Sequence, residues 1–494
     1  MITVTPYGAA GEVTGSSYLV KTPRASILID FGLFQGDKED DARNVVPGEI
    51  HRGPLDAVLL THAHLDHCGR LPVLVADGYR GPIFATSATR DLVELVLRDA
   101  AHIQEGDYER RLRKAKKKNI KIQRTDHPLF DTADVEAVLE LIRIVEYDIE
   151  FEPASGITAV YTEAGHMLGS ASISLAIVDD GIVPGEDENT VAGLEGQNIE
   201  KGSTVRHLLF SGDLGPPGLP FLRDPKPPNQ TFDVIVMEST YGDRDHRSLE
   251  ETVQQFGEVL VEAIRSNGKV LIPSFAIGRS QNMLYHIAEL VRQRRIPRIP
   301  IYLDSPMAIE ASRLYAAHQD LFDEESTELV ESGAMERGLG TVRFTQTAEE
   351  SKAINGKVGP FIVIAGAGMC NAGRIMHHLR NNIDDANTHV IITGYQAYGT
   401  LGRKLVEGVQ HVSIMGEYKP VKAHVHTLGG FSAHAGQTHL LAWLESIVKP
   451  HSNHSTHVVL THGEDEARDA LGDVIASRLN IQTILPYYGV TMEL

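Results

Sequence analysis

Cysteine is almost missing from this chain of 494 residues; only Cys68 and Cys370 occur. Two thiols exclude a disulfide scaffold or a cysteine-based zinc finger, and they fit a reducing compartment. Long apolar runs are missing as well, since none approaches the roughly 20 residues that a membrane span needs. The first residues, Met1-Ile2-Thr3-Val4-Thr5-Pro6, read directly as a strand, without the basic and apolar regions of a secretory signal. A soluble, cytoplasmic protein with no membrane partner is expected. Positive charge is in deficit: 46 Lys and Arg stand against 66 Asp and Glu, a net charge of −20. That balance argues against a broad, non-specific grip on nucleic acid, which needs surface Lys and Arg. It leaves room for a cleft in which metal cations and a few arginines supply local positive charge. What the chain does have is length, and 42% of it is hydrophobic, enough for two or three domains with their own cores.

The densest chemistry lies in Leu59-Leu60-Thr61-His62-Ala63-His64-Leu65-Asp66-His67-Cys68-Gly69. Four metal-capable side chains follow an apolar run, Ala57-Val58-Leu59-Leu60, that reads as a buried strand. Side chains alternate along a strand, so His62 and His64 point the same way as it ends. Asp66 and His67 then sit on the turn behind and face a second point nearby. Imidazole and carboxylate are the ligands expected of zinc, and this cluster suits two neighbouring cations. A His-rich surface turn is the bland alternative; four ligands in H-x-H-x-D-H order directly after a strand speak against it.

The first 90 residues read as short strands at 2–6, 17–21, 26–30, 58–61 and 82–85. Asp30 ends the third, either as a partner that orients a metal-bound His or as a turn cap. A helix is predicted over 89–118, closing in the only strong basic run, 110–118, read as a solvated face in preference to an RNA contact. A second helix is predicted over 132–145. Strands return at 158–162 and 172–178, with His166 in the Gly-rich loop between them. Residues 179–206 read as a surface insertion. The next strand ends in Ser211-Gly212-Asp213. Singly, His166 and Asp213 would be structural residues; beside Gly on loops that follow the first cluster, they read jointly as ligands.

After a strand at 233–237 and Glu238, the texture changes. Ser248-Leu249-Glu250-Glu251 matches a capping box, and its helix stops at Asn267-Gly268. Strand 269–273, helix 279–292, strand 299–304, one further helix, and strands 361–365 and 390–393 follow. This alternation predicts a parallel α/β domain over 243–425, inserted into a first domain formed by 1–242 and 426–494. The last part holds Gly430-Phe431-Ser432-Ala433-His434-Ala435-Gly436 and a strand at 456–460 that runs into Thr461-His462-Gly463-Glu464. Within the inserted domain, Arg279 and Arg374 follow Gly-containing turns and, with Ser274 and Ser432, are candidates for substrate phosphate binding.

Asp30, the His62/His64/Asp66/His67 cluster, His166 and Asp213 resemble the four ordered motifs of the metallo-β-lactamase hydrolases. Glu238, His434 and His462 are similar to motifs A, B and C of the β-CASP branch. That branch includes the endonuclease subunit of the cleavage and polyadenylation specificity factor and its bacterial and archaeal relatives. Pro273-Ser274-Phe275-Ala276-Ile277-Gly278-Arg279, Asp304-Ser305-Pro306-Met307 and Gly366-Ala367-Gly368-Met369 also look like this family. The resemblance covers nearly the whole chain. It implies an αββα sandwich of the α/β class with an inserted parallel β-CASP domain.

It further implies two Zn2+ per chain, one on His62, His64 and His166, the other on Asp66, His67 and His462, with Asp213 bridging. The implied chemistry is attack of a metal-bridging hydroxide on an RNA phosphodiester. His434 is then the general acid held by Glu238, and Asp66 joins them as a catalytic residue; a further ligand or a structural His is the other reading of His434. RNA-directed members carry His at the position of His462, where DNA-repair relatives carry an aliphatic residue. The Gly-Phe-Ser-Ala-His stretch looks more like the endonuclease group than the RNase J exonucleases. Two departures bear on substrate affinity: Gly436 stands where relatives often have Asp, and no additional N-terminal RNA-binding domain is found. The expectation is a zinc-dependent endoribonuclease on single-stranded RNA. A 5′–3′ exoribonuclease, another phosphodiesterase of this fold and a non-catalytic RNA-processing scaffold stand as alternatives, and monomer and homodimer are both open.

Overall fold

The computed structural model describes residues 1–36, 38–118, 127–179, 204–394, 396, 399–449 and 454–494, with backbone only at 38, 39 and 336. Most of the expected insertion at 179–206 therefore lies outside the described residues. The chain forms two compact units. The first is Met1–Pro217, Asp224–Asp245 and His434–Leu494; the second is Gly218–Arg223 and His246–Ala433.

In the first unit two seven-stranded sheets face each other. One runs Met492–Glu493, Thr3–Pro6, Tyr18–Lys21, Ser26–Ile29, Ala57–Leu59, Ile83–Ala85, Ile142–Ile144. The other runs Thr483–Ile484, His457–Thr461, Val234–Glu238, Thr204–Phe210, Ala171–Asp179, Ile157–Glu163, Phe151–Ala154. Alternation along each strand explains the layering. Leu208, Phe210, Val234, Val236 and Val459 join Val4, Val20, Ile27, Ile29 and Leu59 in a core between the sheets. Their neighbours Leu209, Ile235, Met237, Val458 and Leu460 point the other way. There they pack against helices Gln437–Val448 and Asp465–Leu479 through Leu440, Leu444 and Leu471. On the first sheet, helix Ser87–Lys118 lies beside helix Thr132–Leu141 and strand Ile142–Ile144. The layers are helix, sheet, sheet, helix.

The second unit holds a six-stranded sheet in the order Val342–Phe344, Ile301–Leu303, Phe361–Ala365, Lys269–Pro273, Thr388–Ile392, His424–Thr427. Every pair in it is parallel. A parallel sheet needs both faces covered. Ile272, Ile301, Ile364 and Ile391 form one core with helices Leu249–Arg265 and Arg279–Arg292. Leu271, Tyr302, Val363 and Ile392 form the other with helix Ile375–Asn382.

The structure departs from the sequence reading in places. The helix expected over 132–145 stops at Leu141, and Ile142–Ile144 becomes an edge strand paired with Ile83–Ala85. The β-branched pair Ile142 and Ile144 gains a ladder there that a further helical turn would forgo. The single helix expected between 304 and 361 is four α-helices and a strand: Pro306–Ala317, Glu324–Glu331, Ala334–Leu339, Val342–Phe344 and Ala348–Ile354. At Ser248 the serine half of the capping box forms, its Oγ accepting the Glu251 N–H at 3.2 Å. Strand His424–Thr427 continues the second unit's sheet across the expected boundary at 425/426. Both cysteines are buried and free. Among the described residues, no helix is long and apolar enough to cross a membrane.

One buried imidazole ties the second unit's stability to pH. His286 packs with its ring 5.1 Å from Phe431, and among the described residues its Nε2 has no hydrogen bond. Burial pushes its pKa from 6.5 down to about 4. The unfolded chain takes up a proton near pH 6.5 that the folded chain refuses until about pH 4. Stability is therefore full above pH 6.5 and declines as pH falls toward 4, by about 3 kcal/mol at most. His286→Phe is expected to flatten the fall of the denaturant midpoint between pH 7 and 4. A variant whose midpoint tracks the parent's across that range would contradict the assignment.

Candidate metal centre

Strands Ser26–Ile29 and Ala57–Leu59 are parallel neighbours, so Asp30 and the His62–His67 turn emerge at the same end of their sheet. Asp30 takes a left-handed backbone (φ 58°), and its N–H bonds to the Leu59 carbonyl at 3.0 Å. Its carboxylate then accepts from Thr61 N–H at 2.7 Å and Thr61 Oγ1 at 2.7 Å, and lies 2.8 Å from His67 Nδ1. With Nδ1–H donated to Asp30, Nε2 of His67 is the nitrogen presented to a cation. The turn is also fixed through backbone. Ser16 N–H bonds to Asp66 O at 2.8 Å and Phe31 N–H to His67 O at 2.8 Å. Gly32 permits that approach, because a Cβ there would stand 1.6 Å from Asp66 O.

The second sheet brings its residues to this end by the same device. His166 lies in the loop between strands Ile157–Glu163 and Ala171–Asp179; Asp213 follows Thr204–Phe210, Glu238 closes Val234–Glu238, and His462 follows His457–Thr461. Gly215 donates to Ala164 O at 2.9 Å and leaves no space for a Cβ beside Gly165 O, so the His166 and Asp213 loops interlock.

Eight donor side chains converge. His64 Nδ1 is 3.1 Å from both His62 Nε2 and His166 Nε2. Asp213 Oδ2 is 3.6 Å from the nitrogens of His62 and His166. A second group forms where His67 Nε2 is 3.2 Å from His462 Nε2, which is itself 3.5 Å from Asp66 Oδ2. Asp213 Oδ1 is 3.3 Å from His67 Nε2 and 3.4 Å from His462 Nδ1. Thus one oxygen of Asp213 faces each group. Two nitrogens each about 2.0–2.1 Å from one tetrahedral zinc stand about 3.3 Å apart, close to the 3.1 Å and 3.2 Å between these ring nitrogens. The carboxylate itself gives the sharper test. Asp213 is buried, and among the described residues neither oxygen finds a hydrogen bond. A buried carboxylate without hydrogen bonds is costly unless a cation takes their place. The residues fit a metal.

The field of the cluster is mixed. Burial alone would raise Asp213, but His462, His67 and His434 overcome it and hold the carboxyl well below its usual range. Burial drives His62 well below the ordinary imidazole range, reinforced by neighbouring His67. His434 moves the other way. Burial opposes its charge, yet Glu238 and then Asp213 carry its pKa up to about 9. His434 Nδ1 is 3.2 Å from Glu238 Oε1. Glu238 is fixed in turn by the N–H groups of Leu214 at 2.7 Å and Thr240 at 3.2 Å.

The structure thus brings together His62, His64, Asp66, His67, His166, Asp213, His434 and His462, with Asp30 and Glu238 behind them. Two residues were not singled out from sequence. Thr61 Oγ1 bonds to Asp30, and Thr240 Oγ1 lies 3.1 Å from His462 Nδ1. Both stand where a strand runs into a motif residue, and that adjacency was the available signal. Ser274, Arg279, Arg374 and Ser432 belong to the second unit. Ser274 and Arg279 are buried, and Arg279 Nη1 donates to the Thr393 carbonyl. Arg374 Nη1 bonds to Asp304 at 2.7 Å and Thr345 O at 2.8 Å, while Nη2 reaches Gln346 O at 2.7 Å. Asp304 also accepts from Ser351, Thr345 and His378, each at 2.6 Å. Ser432 is buried.

Comparison with known proteins agrees with this geometry. The metallo-beta-lactamase superfamily matches residues 10–78, the Beta-Casp domain 280–405, and the Zn-dependent metallo-hydrolase RNA specificity domain 418–486. The chain is 40% identical over 475 residues to Ribonuclease TTHA0252 of Thermus thermophilus, covering 96% of each. It is 27% identical over 491 residues to transcription termination factor FttA of Methanosarcina mazei, and 28% identical over 494 residues to that of Methanocaldococcus jannaschii. Each alignment covers 98% of this chain and 70% of the relative. A crystal structure of a protein of unknown function from Enterococcus faecalis V583 superposes with a TM-score of 0.51 at 12% identity over the whole of both chains, which shows a shared fold.

Removing the orienting carboxylate tests the centre. Asp30→Asn is expected to weaken metal binding by about 10–100-fold in competition with a chromogenic chelator. An affinity equal to the parent's would remove Asp30 from the site.

Proposed function

The chain belongs to the β-CASP hydrolases of the metallo-β-lactamase superfamily and is a metal-dependent RNA hydrolase; from that premise we propose a zinc enzyme with two ions per chain that cuts single-stranded RNA internally. The observation that carries this reading is Asp213, whose two oxygens face separate sets of imidazoles with His434 beside them. His62, His64 and His166 would hold one ion and Asp66, His67 and His462 the other, with Asp213 lying between the two groups. When bound, such a pair supplies Lewis acidity at phosphorus and makes water nucleophilic near neutral pH.

The chain's own groups do the rest. Asp66 and Asp213 offset the repulsion between two divalent charges. Asp30 fixes the His67 ring, and Thr240 fixes His462. His434 delivers the proton that the leaving 3′ oxygen requires. Glu238 holds Nδ1, so Nε2 carries the transferable proton, and the carboxylate keeps the ring cationic until transfer. Ser274, Arg279, Arg374 and Ser432 are the second unit's candidates for holding substrate phosphate. Arg374 is already bonded to Asp304 and two carbonyls, so a substrate phosphate there would share it with them. The two reduced, buried thiols suit a cytoplasmic setting.

His434 also lies close enough to Asp213 and His462 to serve as a ligand, and one variant separates the roles. His434→Ala is expected to retain the parent's metal content while RNA cleavage falls by about 10²–10⁴-fold. Loss of metal together with activity would assign His434 to coordination, and undiminished cleavage would exclude it from the chemistry. With one RNA labelled internally and another at its end, internal fragments are expected first. Mononucleotides released from one terminus from the outset would establish the exonuclease reading instead.

A further inference from the structure

The second unit contains a basic cavity that the metal centre does not use. Helix Arg279–Arg292 ends in Val291-Arg292-Gln293-Arg294-Arg295-Ile296-Pro297-Arg298, four arginines in seven residues from Arg292 on. This corrects the reading of 110–118 as the only strong basic run. Arg294 has a left-handed backbone (φ 58°), and Arg295 N–H turns back to Leu290 O at 2.9 Å, which folds the segment around the helix end. Helix Ala334–Leu339 packs against the same helix; Gly338 would bring a Cβ to 2.8 Å from Ala288 Cβ. That close approach delivers a fifth guanidinium, Arg337. The result is a cavity of about 820 Å³ lined by Arg292, Arg294, Arg295, Arg298 and Arg337.

Arginines in a last helical turn complement the helix dipole, and this explains one or two of them. It does not explain five around one space, in a protein of net charge −20. Arg292 is paired with Glu289, and Arg295 reaches Gln254 O at 3.5 Å. Arg294, Arg298 and Arg337 form no ion pair among the described residues. Like charges gathered without counter-charges repel, and an anion relieves them. The remaining lining is aliphatic, Ile296 and Ala334 among it, with no aromatic, acidic or amide side chain among the described residues. Guanidiniums can stack on bases or pair with them, but no aromatic, acidic or amide side chain there adds to base selection among the described residues. The cavity suits phosphates above all.

Building on the proposed ribonuclease activity, we propose that this arginine cavity is an exosite for the phosphodiester backbone of single-stranded RNA, gripping several consecutive phosphates without regard to sequence. A compact polyphosphate is the other anion of this chemistry, and the test distinguishes it. The variant Arg294→Gln/Arg298→Gln/Arg337→Gln is compared with the parent and with the corresponding triple Lys variant. Binding of a single-stranded RNA of about 30 nucleotides is measured by fluorescence anisotropy across a salt series. Turnover of bis(p-nitrophenyl) phosphate reports the metal centre independently. The Gln variant is expected to bind RNA about 10-fold more weakly, and three lost contacts make the slope of log K against log salt shallower by about 2. The Lys variant is expected to recover most of that slope, and small-phosphodiester turnover is expected to be the same in all three. An unchanged RNA affinity and slope in the Gln variant would overturn the proposal. So would tripolyphosphate binding that the Gln variant loses while its RNA affinity holds. Because binding is read without cleavage, an inactive parent would count against the ribonuclease reading and leave the exosite measurement intact.

Discussion

A buried carboxylate with no hydrogen bond sets the problem that the first unit solves. Asp213 stands among the rings of His62, His67, His166, His434 and His462, and among the described residues no N–H or hydroxyl satisfies its oxygens. Apolar packing cannot absorb a bare charge. Several of these imidazoles are held through Nδ1, His67 by Asp30, His462 by Thr240 and His434 by Glu238. The donor atoms of the cluster gather in two groups, one beside each Asp213 oxygen.

The surrounding fold supplies rigidity where the site needs it. All the contributing loops leave one end of two sheets whose facing cores are packed with Val, Ile and Leu. Two glycines, Gly32 and Gly215, let backbones meet backbones at that end, so the His62–His67 turn and the His166 and Asp213 loops are hydrogen-bonded to their neighbours. Strand His457–Thr461 pairs in parallel with Val234–Glu238 and carries His462 from the far end of the chain to the first motif. The chain closes its own metal centre by sheet pairing, across the inserted second unit.

Much of this was legible in the sequence. The H-x-H-x-D-H turn stands out because metal-capable side chains close in sequence need no tertiary knowledge to be grouped. The convergence of His166, Asp213 and His462 on it was legible because each follows an apolar strand and stands beside Gly. The periodicities of the second unit marked its parallel strands, buried on both faces. What escaped depended on contacts distant in sequence. Ile142–Ile144 reads as a helix end until strand Ile83–Ala85 is placed beside it. Thr61 and Thr240 have ordinary identities, and their roles come only from their partners. The arginine cavity needed Arg337 delivered by another helix, and the bond from Arg374 to Asp304 spans 70 residues.

The shared carboxylate is the claim on which the rest turns, and metal stoichiometry of Asp213→Ala beside the parent tests it most directly. After equilibration with zinc and removal of excess, the parent is expected to hold two ions per chain and the variant fewer than one, since both groups lose a ligand and the charge that offsets them. A variant that keeps the parent's full complement would contradict the account.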